Sequence, residues 1–467
     1  MEPAHGGKDI SWPRHLGGCR RAGLSAGAGR DRLSRLMSAE TNPNWSPILT
    51  AEAADEAFRV VDDIAADLRK SLDEPRPESP SWHRRGPSLA GGDAGVAAFF
   101  TYLDPVRPGE GYDDLAMALL ERAIDTTGVV QAPPGLYSGF SGVAWTLEHL
   151  RGRLFEDDGE DPGEEVTAAL IEHLGLSPWR GHYDLISGLV GFGVYALERL
   201  PRPGGRECLE RVLARLAEIA ERRPEGVTWR TGPELMMERE LETFPEGNFN
   251  LGVAHGVPGV IGLLAESCAA GVDARELLDG AVAWLLAQKL PAASESTFPY
   301  NVTPGVEPRP SRLAWCYGDL GIAASLLVAA RAVGEAGWER EAVEVARATT
   351  LREPEKSGVV DAGICHGAAG AAHLYNRFYQ ATGEPAFRDA ARAWIERTLA
   401  YRKPGVGVGG FEMWVVGEGE ELAWRSDPGF LTGSSGVGLA LLAATTAVEP
   451  EWDRILIADA AAGKTRT

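Results

Sequence analysis

The sequence predicts an all-α protein, an α/α barrel or toroid of seven inner and seven outer helices. Three observations predict it. A Gly-x-x-Gly pair followed by an apolar, small-residue-rich stretch occurs seven times. Each such stretch is apolar around most of its circumference, the pattern of a buried helix. Between them run amphipathic stretches whose apolar residues recur at i, i+3, i+4 and i+7, the pattern of helices with one solvent face. Buried and amphipathic helices that alternate build an inner ring inside an outer one. An open solenoid of helix pairs is the alternative, but it leaves one side of each buried helix uncovered.

The elements follow in order. Residues 1–36 hold seven Lys/Arg, three Asp/Glu and seven glycines with no apolar run. They lack a secretion signal and read as a disordered tail, extended here to 1–45, ahead of a single domain over 46–460. The first glycines of the seven pairs are Gly92, Gly139, Gly188, Gly256, Gly318, Gly367 and Gly433, at intervals of 47, 49, 68, 62, 49 and 66 residues. Each opens an inner helix, and glycines three apart share one face of its first turn, where neighbouring backbones approach closely. Amphipathic helices are expected near 52–70, 112–125, 163–174, 209–219, 274–290, 338–351 and 387–399. The three longer intervals leave long loops near 225–254, 291–312 and 403–430, where function concentrates.

Composition sets limits. The 467 residues allow two to four domains or one large closed architecture. With 44% apolar and 24% charged residues the chain is globular. A net charge of −21 argues against a nucleic-acid groove or an anionic membrane surface. The apolar run Leu320–Ala330 is too short to span a bilayer. Five cysteines, an odd number in so long a chain, make no disulfide framework and point to a reducing cytoplasm.

The repeat also carries a phase. Positions just before each first glycine are equivalent and should converge at one end of the barrel. One residue before it stand Gly91, Ser138, Ser187, His255, Tyr317, His366 and Thr432; two before it stand Ala90, Tyr137, Ile186, Ala254, Cys316, Cys365 and Leu431. Two cysteines and two histidines thus fall in register. Cys316, Cys365 and His366 suit Zn²⁺, and three protein ligands leave a fourth position open, as at catalytic sites. The other reading makes the cysteines small buried hydrophobes and the histidine a satisfied core residue. Cys19, Cys208 and Cys268 have no phase and read as structural or incidental. Asp184 lies four residues before Gly188, and Arg312 four before Cys316. They can orient a histidine and bind a polar substrate, or form a loop salt bridge. His182 and Tyr137 read as packing or rim residues. Asp93 and Asp319 read as charges at helix N-termini.

These motifs resemble the lanthionine synthetase C family of lanthipeptide cyclases. The residues that carry the resemblance are Ala254-His255-Gly256, Trp315-Cys316-Tyr317-Gly318 and Cys365-His366-Gly367, with the seven Gly-x-x-Gly segments, over about 85–445. The resemblance implies a toroid holding one Zn²⁺ on Cys316, Cys365 and His366. It implies His255 as acid/base, with Asp184, Arg312 and Tyr317 as further catalytic residues. The implied reaction adds precursor-peptide cysteine thiols to dehydroalanine or dehydrobutyrine, closing thioether rings. The implied partners are a dehydrated precursor with leader and core, a separate dehydratase and a membrane-associated exporter complex. Residues 1–36 have no counterpart in the family.

Three other functions compete with this one. Glutathione or another free thiol can add to dehydroamino acids by the same chemistry. A zinc-stabilised peptide-binding scaffold needs no open coordination position. An α/α-barrel glycosidase needs paired carboxylates where this chain has Cys and His.

Overall fold

The computed structural model describes residues 45–72, 86–130, 132–157, 159–416 and 421–460. The expected tail and Cys19 lie outside the described residues, except for Trp45. That residue is buried, with its indole N–H donating to the Ala443 carbonyl at 3.2 Å.

Among the described residues fourteen main helices alternate outer and inner. They are α1 (Ala51–Leu72), α2 (Asp93–Leu103), α3 (Tyr112–Thr127), α4 (Phe140–Leu150), α5 (Glu164–His173), α6 (Leu189–Glu198) and α7 (Gly205–Ile219). After these come α8 (Val257–Ala269), α9 (Arg275–Leu286), α10 (Asp319–Val333), α11 (Ala336–Thr349), α12 (Ala368–Thr382), α13 (Pro385–Ala400) and α14 (Ser434–Thr445). The even-numbered helices form the inner ring. Every residue of α2, α4 and α14 is buried. The outer helices bury one stripe; in α7 it is Cys208, Leu209, Val212, Leu213 and Leu216. Each inner helix packs on the next, and α14 packs on α2, which closes the ring. Each outer helix covers the inner helix before it in the chain. The exception is α1, which covers α14, so the two ends of the domain meet. Closure settles the choice between barrel and open solenoid.

A circuit of backbone hydrogen bonds ties the inner-helix N-termini together. Ala90 N donates to Tyr137 O (2.9 Å), Tyr137 N to Ile186 O (3.3 Å), and Leu185 N to Ala254 O (3.1 Å). Ala254 N then donates to Cys316 O (3.4 Å), Cys316 N to Cys365 O (3.2 Å), Cys365 N to Leu431 O (2.9 Å) and Leu431 N back to Ala90 O (2.9 Å). These are the residues two before each first glycine, with one step taken by Leu185. The phase read from the sequence is a physical ring.

The motif glycines serve that ring in a way that differs from the expectation. A Cβ at any of the fourteen would collide with backbone of the glycine's own preceding turn, as at Gly142 with Leu136 O and at Gly370 with Ile364 O. The close approach is of each helix start onto its own loop, more than onto a neighbouring backbone.

The long loops are not wholly irregular. They hold three antiparallel pairs: β1 (Glu221–Arg223) with β2 (Gly226–Thr228), β3 (Phe249–Asn250) with β4 (Asn301–Val302), and β5 (Met413–Val416) with β6 (Leu422–Arg425). The β3–β4 pair joins the first long loop to the second. Asp319 is more than a helix-end charge: it is buried, and its carboxylate accepts the N–H groups of Thr297 and Phe298 at 2.7 and 2.9 Å, pinning the second loop.

The C-terminal 3₁₀ turn Glu451–Leu456 is wrapped by inner helices. Asp453, fully buried, accepts two hydrogen bonds from Arg377 (2.6 and 2.7 Å) and one contact from His373 Nε2 (2.7 Å). Carbonyls of the same turn accept from Tyr137 OH (Ile455 O, 2.7 Å) and Trp315 Nε1 (Leu456 O, 2.8 Å). No described helix is long and apolar enough to cross a membrane.

Candidate metal centre

The ring brings successive repeats side by side, so Cys316 and the Cys365–His366 pair meet at its edge. Their potential ligand atoms all lie within 4.8 Å of one another. Cys316 is buried, while Cys365 and His366 are half-buried. Arg312 Nη2 donates to Cys316 Sγ at 3.4 Å, and the Arg312 backbone N–H donates to Tyr300 OH at 3.2 Å.

The electrostatics show a site short of positive charge. The hydrogen bond from Cys365, with His366 and Arg312, holds the Cys316 thiol well below the ordinary range against the opposing effect of burial. Cys365 is pushed well above it, because its thiolate would be a second anion beside the first in a buried place. A divalent cation removes that conflict and lets both ionise. His366 Nδ1 is buried with no hydrogen-bond partner among the described residues. An orphaned imidazole nitrogen beside two thiols costs free energy unless something binds there. The donor set, two sulfurs and one imidazole, fits Zn²⁺.

His255 stands beside this cluster without belonging to it. Its Nδ1 contacts Asp184 Oδ2 at 2.6 Å, while Asp184 Oδ1 accepts the Ser187 N–H at 2.8 Å. Asp184 is buried, whereas the His255 side chain is 43% exposed. The ring is therefore anchored at Nδ1, with no hydrogen bond at Nε2 among the described residues. Partial burial pulls its pKa down, but the Asp184 hydrogen bond and charge, with that of Cys316, outweigh this and raise it above the ordinary imidazole value. Tyr317 lies next, its ring centroid 6.0 Å from that of His255, and its hydroxyl accepts from Asn250 Nδ2 at 2.9 Å. Burial raises the phenol pKa above the ordinary range.

All seven site residues named from the sequence fall in this region. Asp184 and Arg312 do not pair with each other: one holds His255, the other Cys316. Tyr137 is a core residue bonded to the C-terminal turn. His182 takes part through its backbone, whose carbonyl accepts from Trp179 Nε1 at 3.1 Å. Cys208 is buried, and burial pushes its thiol up to about 12; it and Cys268 are free.

Two groups escaped the sequence reading. Asn250 holds Tyr317, and Tyr300 packs on Tyr317 at 5.7 Å between ring centroids. A signal for Asn250 was present. Asn250-x-Gly252, Asp361-x-Gly363 and Asp427-x-Gly429 each begin six residues before a first glycine.

Fold and site together define an α/α toroid with a cysteine–histidine set that could hold a metal ion at the mouth of its inner ring. The chain belongs to the lanthionine synthetase C-like protein family, whose family model matches residues 84–457. A solved structure named nisin cyclase is similar to it, with a TM-score of 0.68 at 18% identity, covering 86% of this chain and 98% of that one. At that identity the likeness shows the fold. A structure titled cellobiose 2-epimerase from Bacillus thermoamylovorans B4167 matches at a TM-score of 0.44 and 12% identity, over 82% of this chain and 98% of that one.

Proposed function

We propose that the protein is a zinc-dependent lanthipeptide cyclase, which adds precursor cysteine thiols to dehydroalanine or dehydrobutyrine. The observation that carries this reading is the convergence of Cys316, Cys365 and His366 within 4.8 Å, beside a histidine anchored on a carboxylate.

The reaction forms a C–S bond at the β-carbon, breaks the C=C π bond, and moves one proton from sulfur to the α-carbon. A free thiol, with a pKa of about 8.5, is only a few per cent thiolate at neutral pH. Cys316, Cys365 and His366 would hold Zn²⁺, which would supply acidification of an incoming thiol. Arg312 keeps its guanidinium on Cys316 Sγ and offsets part of the negative charge gathered there. His255 delivers the proton from Nε2 to the α-carbon, and Asp184 fixes the ring and stabilises its charged form. The substrate has to come from a dehydrating enzyme, so a separate dehydratase acts first. The four cysteines among the described residues are free, which fits work in a reducing cytoplasm.

Ring closure is an isomerisation and changes no mass. The test is therefore alkylation of a dehydrated Cys-containing peptide after incubation, read by mass spectrometry. Loss of alkylatable thiols supports the function. Thiols that all remain alkylatable contradict it, and a mass gain from added glutathione points to intermolecular addition instead.

A further inference from the structure

The polarity of the hydrogen bond between Asn250 and Tyr317 is fixed by the backbone. The Gly252 N–H, which can only donate, lies 2.8 Å from Asn250 Oδ1. That atom must be the amide oxygen, so the NH₂ group faces Tyr317 and donates to its oxygen. Conjugation keeps a phenol hydrogen in the ring plane, on one of two sides. Asn250 occupies one side, which turns the Tyr317 hydrogen to the other. Asn250 is buried, and Tyr317 is half-buried beside His255.

The choice of Asn over Asp at this position carries the point. Asp361 and Asp427 make the same turn, each accepting the N–H of the glycine two residues on, at 3.0 and 2.8 Å. Their second oxygens accept as well, from the Trp414 N–H at 3.1 Å and the Thr432 hydroxyl at 2.6 Å. The turn itself is therefore satisfied by a carboxylate. Only at 250 is the second atom a donor, and there it faces the phenol.

We propose that Asn250 is a positioning residue that makes Tyr317 a hydrogen-bond donor to the substrate carbonyl. This rests on the thioether-forming function proposed above. When sulfur bonds to the β-carbon, the π pair moves onto the α-carbon and the adjoining carbonyl oxygen. Tyr317 O–H stabilises that oxygen without giving up its proton, and His255 protonates the carbon. Removing one such donor typically costs about 10²–10³-fold in kcat.

Asn250→Asp tests this. The turn is kept, as Asp361 and Asp427 show, but the phenol now donates to the new carboxylate and away from substrate. The expected result is a native melting temperature and metal content, with kcat lowered about 10²–10³-fold. Tyr317→Phe should lose a similar amount, and the double variant far less than the product of the two losses. Near-native turnover in Asn250→Asp, or losses that multiply, would overturn the proposal. A second readout needs no turnover: the C–O stretch of ¹³C-labelled tyrosine differs between an accepting and a donating phenol. If the unaltered protein closes no rings, the function fails, whereas a band unchanged by Asn250→Asp rejects the polarity itself.

Discussion

His255 is tuned by a carboxylate that the Ser187 N–H holds in place. The consequence is a pH dependence with a definite sign. The folded pKa of His255 is raised, so its protonated form persists above the ordinary value and is lost as pH rises through the folded value. The stability contributed by the pair has the same sense: fully present below the unfolded pKa, lost on the way up. Asp184→Asn should therefore move the alkaline limb of the rate profile to lower pH. Initial rates of thiol loss against pH measure this, and a limb that stays in place would show that His255 does not donate the proton. At this scale the sequence showed which residues gather at the mouth better than what they touch. The offsets brought Asp184 and Arg312 to the mouth, but an offset does not set side-chain direction, so a mutual salt bridge stayed open. Asn250 was missed because an Asx turn looks like loop chemistry until its second atom is seen to face Tyr317.

Each inner helix begins with its first turn pressed onto its own loop, which is why glycine recurs there. Gly370→Ala should destabilise by about 1–3 kcal/mol or more, the cost of overpacking, because its Cβ would meet the Ile364 carbonyl. Gly337→Ala, exposed near the start of α11 with only open space or a distant Arg340 atom around it, should stabilise by about 0.5–1 kcal/mol. Thermal melts of the two variants check the contrast, and equal shifts would mean that the motif glycines are not required for close approach. The helices were legible because apolar period and glycine spacing are local properties. Observed outer helices such as Ala336–Thr349 and Pro385–Ala400 lie within a few residues of the expected 338–351 and 387–399. The hairpins were not legible, since pairs as short as β3–β4 are set by which loops meet across the mouth.

The whole molecule closes twice, through α14 on α2 and through α1 on α14, and the C-terminal turn is bonded to inner helix α12 and to the loops that lead into α4 and α10. That turn adopts an unusual backbone: Ile457, a β-branched residue, has φ of 53°. Its side chain sits against Gly262, where a Cβ would collide with it. Such a conformation costs about 1–3 kcal/mol and persists because surrounding contacts over-determine it. The Asp453–Arg377 pair is among those contacts. Asp453→Ala should cost about 3–5 kcal/mol, the penalty for breaking a buried ion pair. Because Trp315 and Tyr137 rest on carbonyls of this turn, the variant should also release metal to a chelator faster than the unaltered protein. Melting and chelator kinetics read the two effects; a large melting loss with unchanged metal release would show that the turn supports the fold but not the site. Residues 451–458 are too short a stretch for their apolar spacing to say what they pack against, so their place on the ring was invisible until the ring itself was formed.

One paired measurement tests the division of labour between metal ligands and proton donor: bound zinc beside alkylatable thiols after incubation with dehydrated peptide. Zinc should be about one per chain in the unaltered protein. His366→Ala should lose metal and ring closure together, because two ligands hold a tetrahedral site poorly. His255→Asn should keep its zinc and its melting temperature while ring closure slows by about 10²–10⁴-fold, the usual weight of a general acid. A His255→Asn protein that had lost its zinc, or a His366→Ala protein that kept it, would contradict the account.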